Sequence, residues 1–405
     1  MEPVDVIVVG AGLAGLRAAQ VLEGAGRSVL VLERAPVVGG RLASRTLDGF
    51  IVDEGFQLVN PAYPELIATG VGADTDLRRF PGVVRYVDAG RVLTLPGSSG
   101  PWRDALAIAR SGDGAWLDLA RVGVLTLVAA LSPVSSIRRR RDEPARRALE
   151  RWGVSEAFVE AFLQPFLRGA LLDDDLETSW RFTQLLLRSF VRGRPGTYPT
   201  GVAALPAALA GRLATGTVRL GESVNAIDAT TVATTSQIYR AKRVIVAIDA
   251  TSAHELVGVP PVRWRAQTTW WYATPRLADG AVLRLDRQRG FLTSTLDVSA
   301  VAPERARPGR SLVAAATNGI AGSGDEPGVR EDVARIYDLG VSDVELVTTT
   351  VVAQALARTP APLSLSRPST WGDVVLAGDY LQTPSIQGAL VSGRRAAEAV
   401  LTAFV

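Results

Sequence analysis

Gly10-Ala-Gly12-Leu-Ala-Gly15 stands between a β-branched apolar run, residues 4–9, and an Ala/Leu-rich stretch, residues 13–25, with helical spacing. In that setting Gly10 permits a tight turn, and Gly12 lets a pyrophosphate approach the backbone. Gly15 lets the helix pack closely on the strand. The first helical residues, Leu13 and Ala14, would turn unpaired N–H groups toward the phosphates. Glu33 closes a second apolar run, residues 28–33, and is placed to accept from a ribose hydroxyl. Strand, loop, helix and acid together read as a dinucleotide site. The alternative is a glycine-rich turn without a ligand.

Two further segments carry groups suited to a phosphate-rich ligand. After Glu33 the chain continues with Arg34 and then Gly39-Gly40-Arg41. Glycine allows a ligand close to the backbone, and Arg41 offers charge-assisted bonds to phosphate. Near the end, Gly378-Asp379-Tyr380 is followed by Ile386-Gln387-Gly388-Ala389 at the start of a small-residue helix. A helix N-terminus there would stabilise negative charge on a ligand.

On these segments the sequence resembles the flavoprotein superfamily of phytoene desaturases, protoporphyrinogen oxidases and flavin amine oxidases. It is most similar to the phytoene (carotenoid) desaturase-like branch. The resemblance implies non-covalent FAD, with Gly39, Gly40 and Arg41 along the pyrophosphate and ribityl chain. It implies a loop containing Glu54, Phe56 and Gln57 beside the isoalloxazine, Val224 at the adenine and Ala247 at the strand end after it. Gly378 and Asp379 would meet the ribityl-phosphate region. The last helix, through Ile386, Gln387, Gly388 and Ala389, would meet the flavin pyrimidine edge.

The elements needed to position these groups follow from pattern. An extended stretch runs from Gly40 to Asp53, and alternation across 83–95 around Asp88-Ala89-Gly90 reads as a hairpin. Helical patterns cover 102–110, 115–131, 143–151, 155–163, 179–190 and 202–213, punctuated by Pro133, Pro165, Pro195 and Pro199. Strands are expected over 218–247 and 263–316, a helix near 329–339, a strand at 374–377 and a helix at 387–403. The expectation is an α/β chain: a Rossmann-type FAD-binding domain (1–80, 200–258 and 355–405) interleaved with a mixed helical and β-sheet substrate domain (81–199 and 259–354).

Composition excludes much else. The 405 residues carry 44 basic and 41 acidic side chains, a net charge of +3, which does not suggest a nucleic-acid partner. With no cysteine and one histidine, His254, neither cysteine-based zinc sites nor disulfides can form, and no metal site is expected. Of the 44 basic residues one is a lysine, Lys242, and it lies at a predicted strand start. The resemblance gives lysine-assisted oxidases a lysine near the flavin, so its placement argues against that branch. His254 reads as a structural or surface residue, with a catalytic base as the alternative. Glu54 is the candidate proton acceptor, with Tyr380 and Trp371 as candidates for the substrate side of the flavin. The helical lobe is rich in Leu, Phe and Trp and suits a hydrophobic small molecule.

The expected reaction is hydride abstraction or desaturation on a hydrophobic, isoprenoid-like substrate. The alternatives are an amine oxidase releasing imine and hydrogen peroxide, or a non-redox isomerase or lipid-binding flavoprotein. No export signal is visible, so a cytoplasmic location is the default expectation. The apolar stretch 122–131 before Arg138-Arg139-Arg140-Arg141 is too short to span a bilayer. It reads as a buried helix followed by a solvated charge run, with peripheral membrane contact as the alternative. The sequence leaves the oligomeric state open.

Overall fold

The computed structural model describes residues 4–73, 75–88, 91–95, 115–287, 290–365, 367 and 369–404. The expected helix at 102–110 and the hairpin tip at 89–90 lie outside them.

Val4–Val9 is flanked on both sides by parallel partners, Val29–Glu33 and Ile238–Val246. That explains its unbroken β-branched sequence: a strand covered on both faces needs no polar alternation. Val218–Leu220 extends this sheet beyond Val29–Glu33, and Val374–Leu376 pairs in parallel with the end of Ile238–Val246. The antiparallel strands Val224–Ile227, Thr231–Thr234 and Thr370–Trp371 complete eight. Helix Leu13–Gly24 lies against the closing helix Ile386–Thr402. The contact is close because it uses small residues: Ala18, Ala19, Ala396 and Ala397 are fully buried, and a Cβ on Gly393 would stand 2.1 Å from the Ala14 carbonyl oxygen. The two chain ends are thereby held together.

The second sheet has seven strands, in the order Glu345–Ala357, Trp264–Pro275, Arg310–Asn318, Ser294–Asp297, Leu283–Asp286, Val84–Asp88, Arg91–Leu95. Its inner strands alternate between two apolar layers. Trp270, Tyr272, Val313 and Ala315 pack with residues of helix Glu326–Tyr337. Trp271, Ala273, Leu312 and Ala314 pack with Phe50 and Val52. Those last two belong to a hairpin, Ser44–Leu47 with Phe50–Asp53, where sequence suggested only an extended stretch. Its turn is Asp48-Gly49, both left-handed (φ 46° and 78°), a strong hairpin signal that the sequence reading passed over.

A helical group covers the other side of the cavity described below: Ala115–Leu131, Val134–Arg139, Ala145–Arg151, a continuous run from Glu156 to Leu171, and Trp180–Arg192. Pro165 does not break the continuous run. It follows a π-helical turn, Val159–Leu163, and the run stops only at Leu172 (φ 52°). No helix among the described residues is long and apolar enough to cross a membrane.

Candidate functional site

One cavity of about 1130 Å³ runs from the glycine loop to the helical group. At its first end the three loop glycines have distinct physical roles. Gly10 is left-handed (φ 102°), and a Cβ there would meet the Ala247 carbonyl oxygen at 2.7 Å. A Cβ on Gly15 would stand 1.9 Å from the Gly10 oxygen, so this glycine serves packing and does not line the cavity. A Cβ on Gly12 would meet nothing within 4 Å and would project into open space. The protein itself gives no reason for glycine at that position; a ligand lying against the backbone would.

Glu33 is buried at the end of its strand. One carboxylate oxygen accepts from the Ala11 N–H at 2.7 Å, the other from the Ala35 N–H at 2.9 Å. It therefore ties the glycine loop to the strand end while still lining the cavity beside Arg34 and Val224. Gly39 donates to the Ala11 oxygen at 2.9 Å, which brings Gly39 and Gly40 alongside Gly12.

Arg41 and Asp379, 338 residues apart, form an ion pair on the cavity wall, and Arg41 also donates to the Ala355 carbonyl at 2.9 Å. Burial alone would push the Arg41 guanidinium down, but the neighbouring Asp379 charge more than offsets it. The sequence offered Arg41 to phosphate; in the structure its fork is engaged in joining two site segments. Phe56 and Gln57 line the cavity too. Gln57 donates to the Arg41 carbonyl at 3.1 Å, and its own side-chain oxygen is buried without a partner.

The closing helix also departs from expectation. Ile386, Gln387, Gly388 and Ala389 all reach the cavity. However, the Gly388 N–H is capped by Ser385 Oγ at 3.0 Å, and the Ala389 N–H bonds the Ser385 carbonyl at 2.9 Å. The Gln387 side-chain oxygen accepts from the Glu65 N–H at 3.0 Å. Backbone donors for a ligand are thus reduced to Ile386 and Gln387 at the helix start. A Cβ on Gly388 would lie 1.8 Å from the Thr383 oxygen, which explains the glycine without any ligand.

Two expectations are corrected. Tyr380 does not line the cavity. Its ring turns into the core behind Gly378, its hydroxyl is buried without a partner, and burial with the nearby Asp379 charge pushes its phenol far above the usual range. Trp371 sits half-exposed at the sheet edge and donates to the Val257 carbonyl at 2.8 Å, away from the cavity. Glu54 does line the cavity, but its partly exposed carboxylate lies 3.5 Å from Arg45. His254 is exposed, with Nδ1 2.6 Å from the Val259 carbonyl oxygen, and Lys242 is exposed and paired with Asp5 at 2.7 Å. Neither reaches the cavity.

Sequence reasoning missed three features. Glu65 is buried between Arg17 (2.7 Å) and Arg394 (2.8 Å), binding the first and last helices to the helix Pro64–Thr69. Asp53 and Arg305, both almost wholly buried, form a 2.9 Å ion pair. Arg305 also donates to Thr197 Oγ1, and Asp53 accepts from Ser44 Oγ and the Val202 N–H. Tyr63, whose phenol burial pushes up to about 12, lines the cavity. Ion-pair partners 48 to 329 residues apart leave no local pattern, although Pro64 is a signal for the helix start that positions Tyr63.

Residues 13–401 match the family of flavin-containing amine oxidoreductases. The chain belongs to that family. Among curated relatives it is 53% identical over 64 residues to putrescine oxidase of Kocuria rosea, covering 16% of this chain and 13% of that one. It is 59% identical over 54 residues to phytoene dehydrogenase of Streptomyces griseus, covering 13% and 11%. These matches span only about an eighth of the relatives. The fold is that of cyclohexylamine oxidase from Brevibacterium oxydans (TM-score 0.71, 18% identity, all of both chains). The cofactor is FAD, and the site fits it. Gly12 leaves backbone open to a ligand, Glu33 lines the cavity at the adjoining strand end, and the cavity continues past Arg41, Phe56 and Gln57. With no cysteine and its single histidine outside the cavity, the chain offers neither residue as a covalent anchor.

Proposed function

We propose that this family member abstracts a hydride from, and so desaturates, a hydrophobic, isoprenoid-like substrate. One observation carries the reading: the cavity that begins at the glycine loop ends on apolar walls formed by Leu172, Phe182, Leu185, Leu186, Val351 and Val352, and Lys242 is not on it. FAD, when bound, supplies the hydride acceptor. The chain binds and orients. Glu33 and Gly12 hold the nucleotide end, the Arg41–Asp379 pair fixes the middle, and the apolar walls exclude water and align the substrate C–H. A proton must leave with the hydride, and Glu54 is the cavity carboxylate nearest in sequence to Phe56 and Gln57. Residues 1–80, 200–258 and 355–405 would form the FAD-binding unit and the remainder the substrate unit.

Anaerobic flavin bleaching tests this. Carotenoid precursors and other long isoprenoids should reduce the flavin. Bleaching by alkyl amines alone, with peroxide on re-oxygenation, would replace desaturation by amine oxidation.

The helix Ala115–Leu131 exposes Trp116, Val124, Leu127 and Leu131, and this apolar face supports a peripheral lipid contact through which such a substrate would arrive. The basic run contributes less than its sequence suggested: Arg138 bonds the Leu365 carbonyl and Arg140 bonds Gln184, leaving Arg139 and Arg141 exposed. Replacing Leu127 and Leu131 by Glu should abolish co-sedimentation with anionic vesicles; unchanged sedimentation would remove the lipid contact.

A further inference from the structure

The charges on the cavity wall are unevenly divided. Of its acidic residues, Glu33, Glu222, Asp249 and Glu255 belong to segments around the nucleotide end, Asp379 is paired with Arg41 in the middle, and Glu54 lies beside Phe56 and Gln57. The walls contributed by residues 134–192 and 351–365 carry no acid. Their charged members are Arg138, Arg188 and Arg192. The helix Trp180–Arg192 presents Leu185, Arg188, Ser189 and Arg192 to the cavity, a three- and four-residue spacing that puts them on one face. Arg188 spends donors on the carbonyls of Ala129 and Ala130, not on an acid. Arg192 is exposed, and its side chain has neither a hydrogen bond nor an ion pair among the described residues. Burial and the neighbouring Arg192 both push the Arg188 guanidinium down. Like charges four residues apart are unfavourable on a helix unless something answers them. The helix C-terminus accounts for one cation there. It does not account for a cavity wall whose charged groups are all guanidinium.

The geometry points to an anionic head group on the substrate, a carboxylate or phosphate taken by Arg188 and Arg192 with help from Arg138, while its apolar body lies along Leu172, Phe182 and Leu186 toward the flavin end. This rests on the proposed function, in which that apolar chamber receives the substrate, and it narrows the substrate class. Guanidinium forks match both oxyanions, and the positive wall opposes an amine.

The test uses the FAD-loaded full chain, titrated at low and high salt with dodecanoate, dodecyl phosphate, dodecanol and dodecylamine, with binding read from the flavin difference spectrum and calorimetry. At low salt at least one anion should bind about tenfold or more tighter than dodecanol. The better of the two anions identifies the head group, and high salt should shrink the preference. Arg192→Gln should bring that anion to within about threefold of dodecanol, with dodecanol unchanged and Arg192→Lys retaining much of the preference. Arg188→Gln removes a bond to the neighbouring helix, so Arg192→Gln is the cleaner variant. Equal binding of dodecanol and both anions, tightest binding of dodecylamine, or an anion preference untouched by Arg192→Gln would overturn the inference while leaving the apolar chamber intact. Failure of every alkyl probe would overturn the chamber reading together with it.

Discussion

Alanine at Gly12 and at Gly15 should produce opposite phenotypes, although the two glycines stand three residues apart in one motif. At Gly15 the new methyl would sit 1.9 Å from the Gly10 carbonyl oxygen, a backbone atom that cannot swing aside. Overpacking of this kind costs about 1–3 kcal/mol, and backbone contact favours the upper end. Alanine's better helix propensity returns up to about 1 kcal/mol, for a net loss near 2 kcal/mol in the FAD-free protein. At Gly12 the backbone is already in an ordinary region (φ −73°), and the methyl meets no protein atom within 4 Å. A poorer N-cap and a less flexible unfolded chain nearly cancel, so FAD-free stability should shift by less than about 1 kcal/mol. The cost falls on the ligand, because the methyl occupies space where a pyrophosphate would touch backbone. Overpacking of about 1–3 kcal/mol there weakens FAD binding about 5- to 150-fold. Thermal unfolding of FAD-free protein and FAD titration by fluorescence quenching separate the two effects. Wild-type FAD affinity in Gly12→Ala, or equal destabilisation of the two FAD-free variants, would refute the assignment of Gly12 to the ligand and Gly15 to packing.

Glu33→Gln should weaken FAD binding about 10- to 150-fold by removing charge-assisted bonds to the Ala11 and Ala35 N–H groups, and the same titration would register it. Arg305→Met leaves Asp53 buried without its ion partner and should cost about 3–5 kcal/mol in urea unfolding; Asp53→Asn added to it should recover part of that loss. Lys242→Met should leave substrate-driven flavin reduction unchanged, since Lys242 is outside the cavity. The same variant should alter one titration. Lys242 holds the Asp5 carboxyl at about 2, below its ordinary 3.8, so their mutual stabilisation is present above that ordinary value and is lost as pH falls through about 2. Without Lys242 the Asp5 carboxyl should titrate higher by NMR, and no change would mean that Ser28 alone sets it.

The fold of the glycine-loop end was legible because its constraints are local. A strand, three spaced glycines and an acid lie within thirty residues, and each meets its neighbours through backbone geometry that sequence encodes directly. Tyr380 was misjudged for the opposite reason. Its neighbours Gly378 and Asp379 face the cavity, but the short 3-10 turn at Asp379–Leu381 rotates the ring behind them, and adjacency in sequence does not fix that rotation. Gln387 shows the same limit. It occupies the expected place at the helix start, yet its amide oxygen is taken by the Glu65 N–H, 322 residues away. Asp53 with Arg305 and Arg41 with Asp379 were invisible because a charged pair announces itself only when the fold brings the partners together.

Those long-range pairs bear on how the cavity is built. The glycine-loop end of the cavity comes from the first sheet, and the apolar end from the helical group with Val351 and Val352 of the second sheet. Beside the apolar packing of Phe50 and Val52 on Trp271, the contacts joining the lobes include polar bonds: Arg305 to Asp53 and Ile51, Trp271 Nε1 to the Asp53 carbonyl at 3.1 Å, and Asn60 to the carbonyls of Ser189 and Gly193. Apolar packing alone would tolerate sliding of one lobe over the other. Buried, directional bonds hold register more strictly, because each displaced donor or acceptor loses its partner without reaching water. The two residues that accept from Asn60, Ser189 and Gly193, bracket Arg192. The loop that presents Tyr63 to the cavity therefore also fixes the end of the helix carrying the arginine pair. A substrate held by its head group at Arg188 and Arg192 would have its distance to the flavin end set by this joint, not by the apolar walls, which discriminate length only weakly. Asn60→Ala should accordingly slow flavin reduction by a bound substrate more than it weakens substrate binding. Equal loss in both would show that the joint supports the fold without setting that distance.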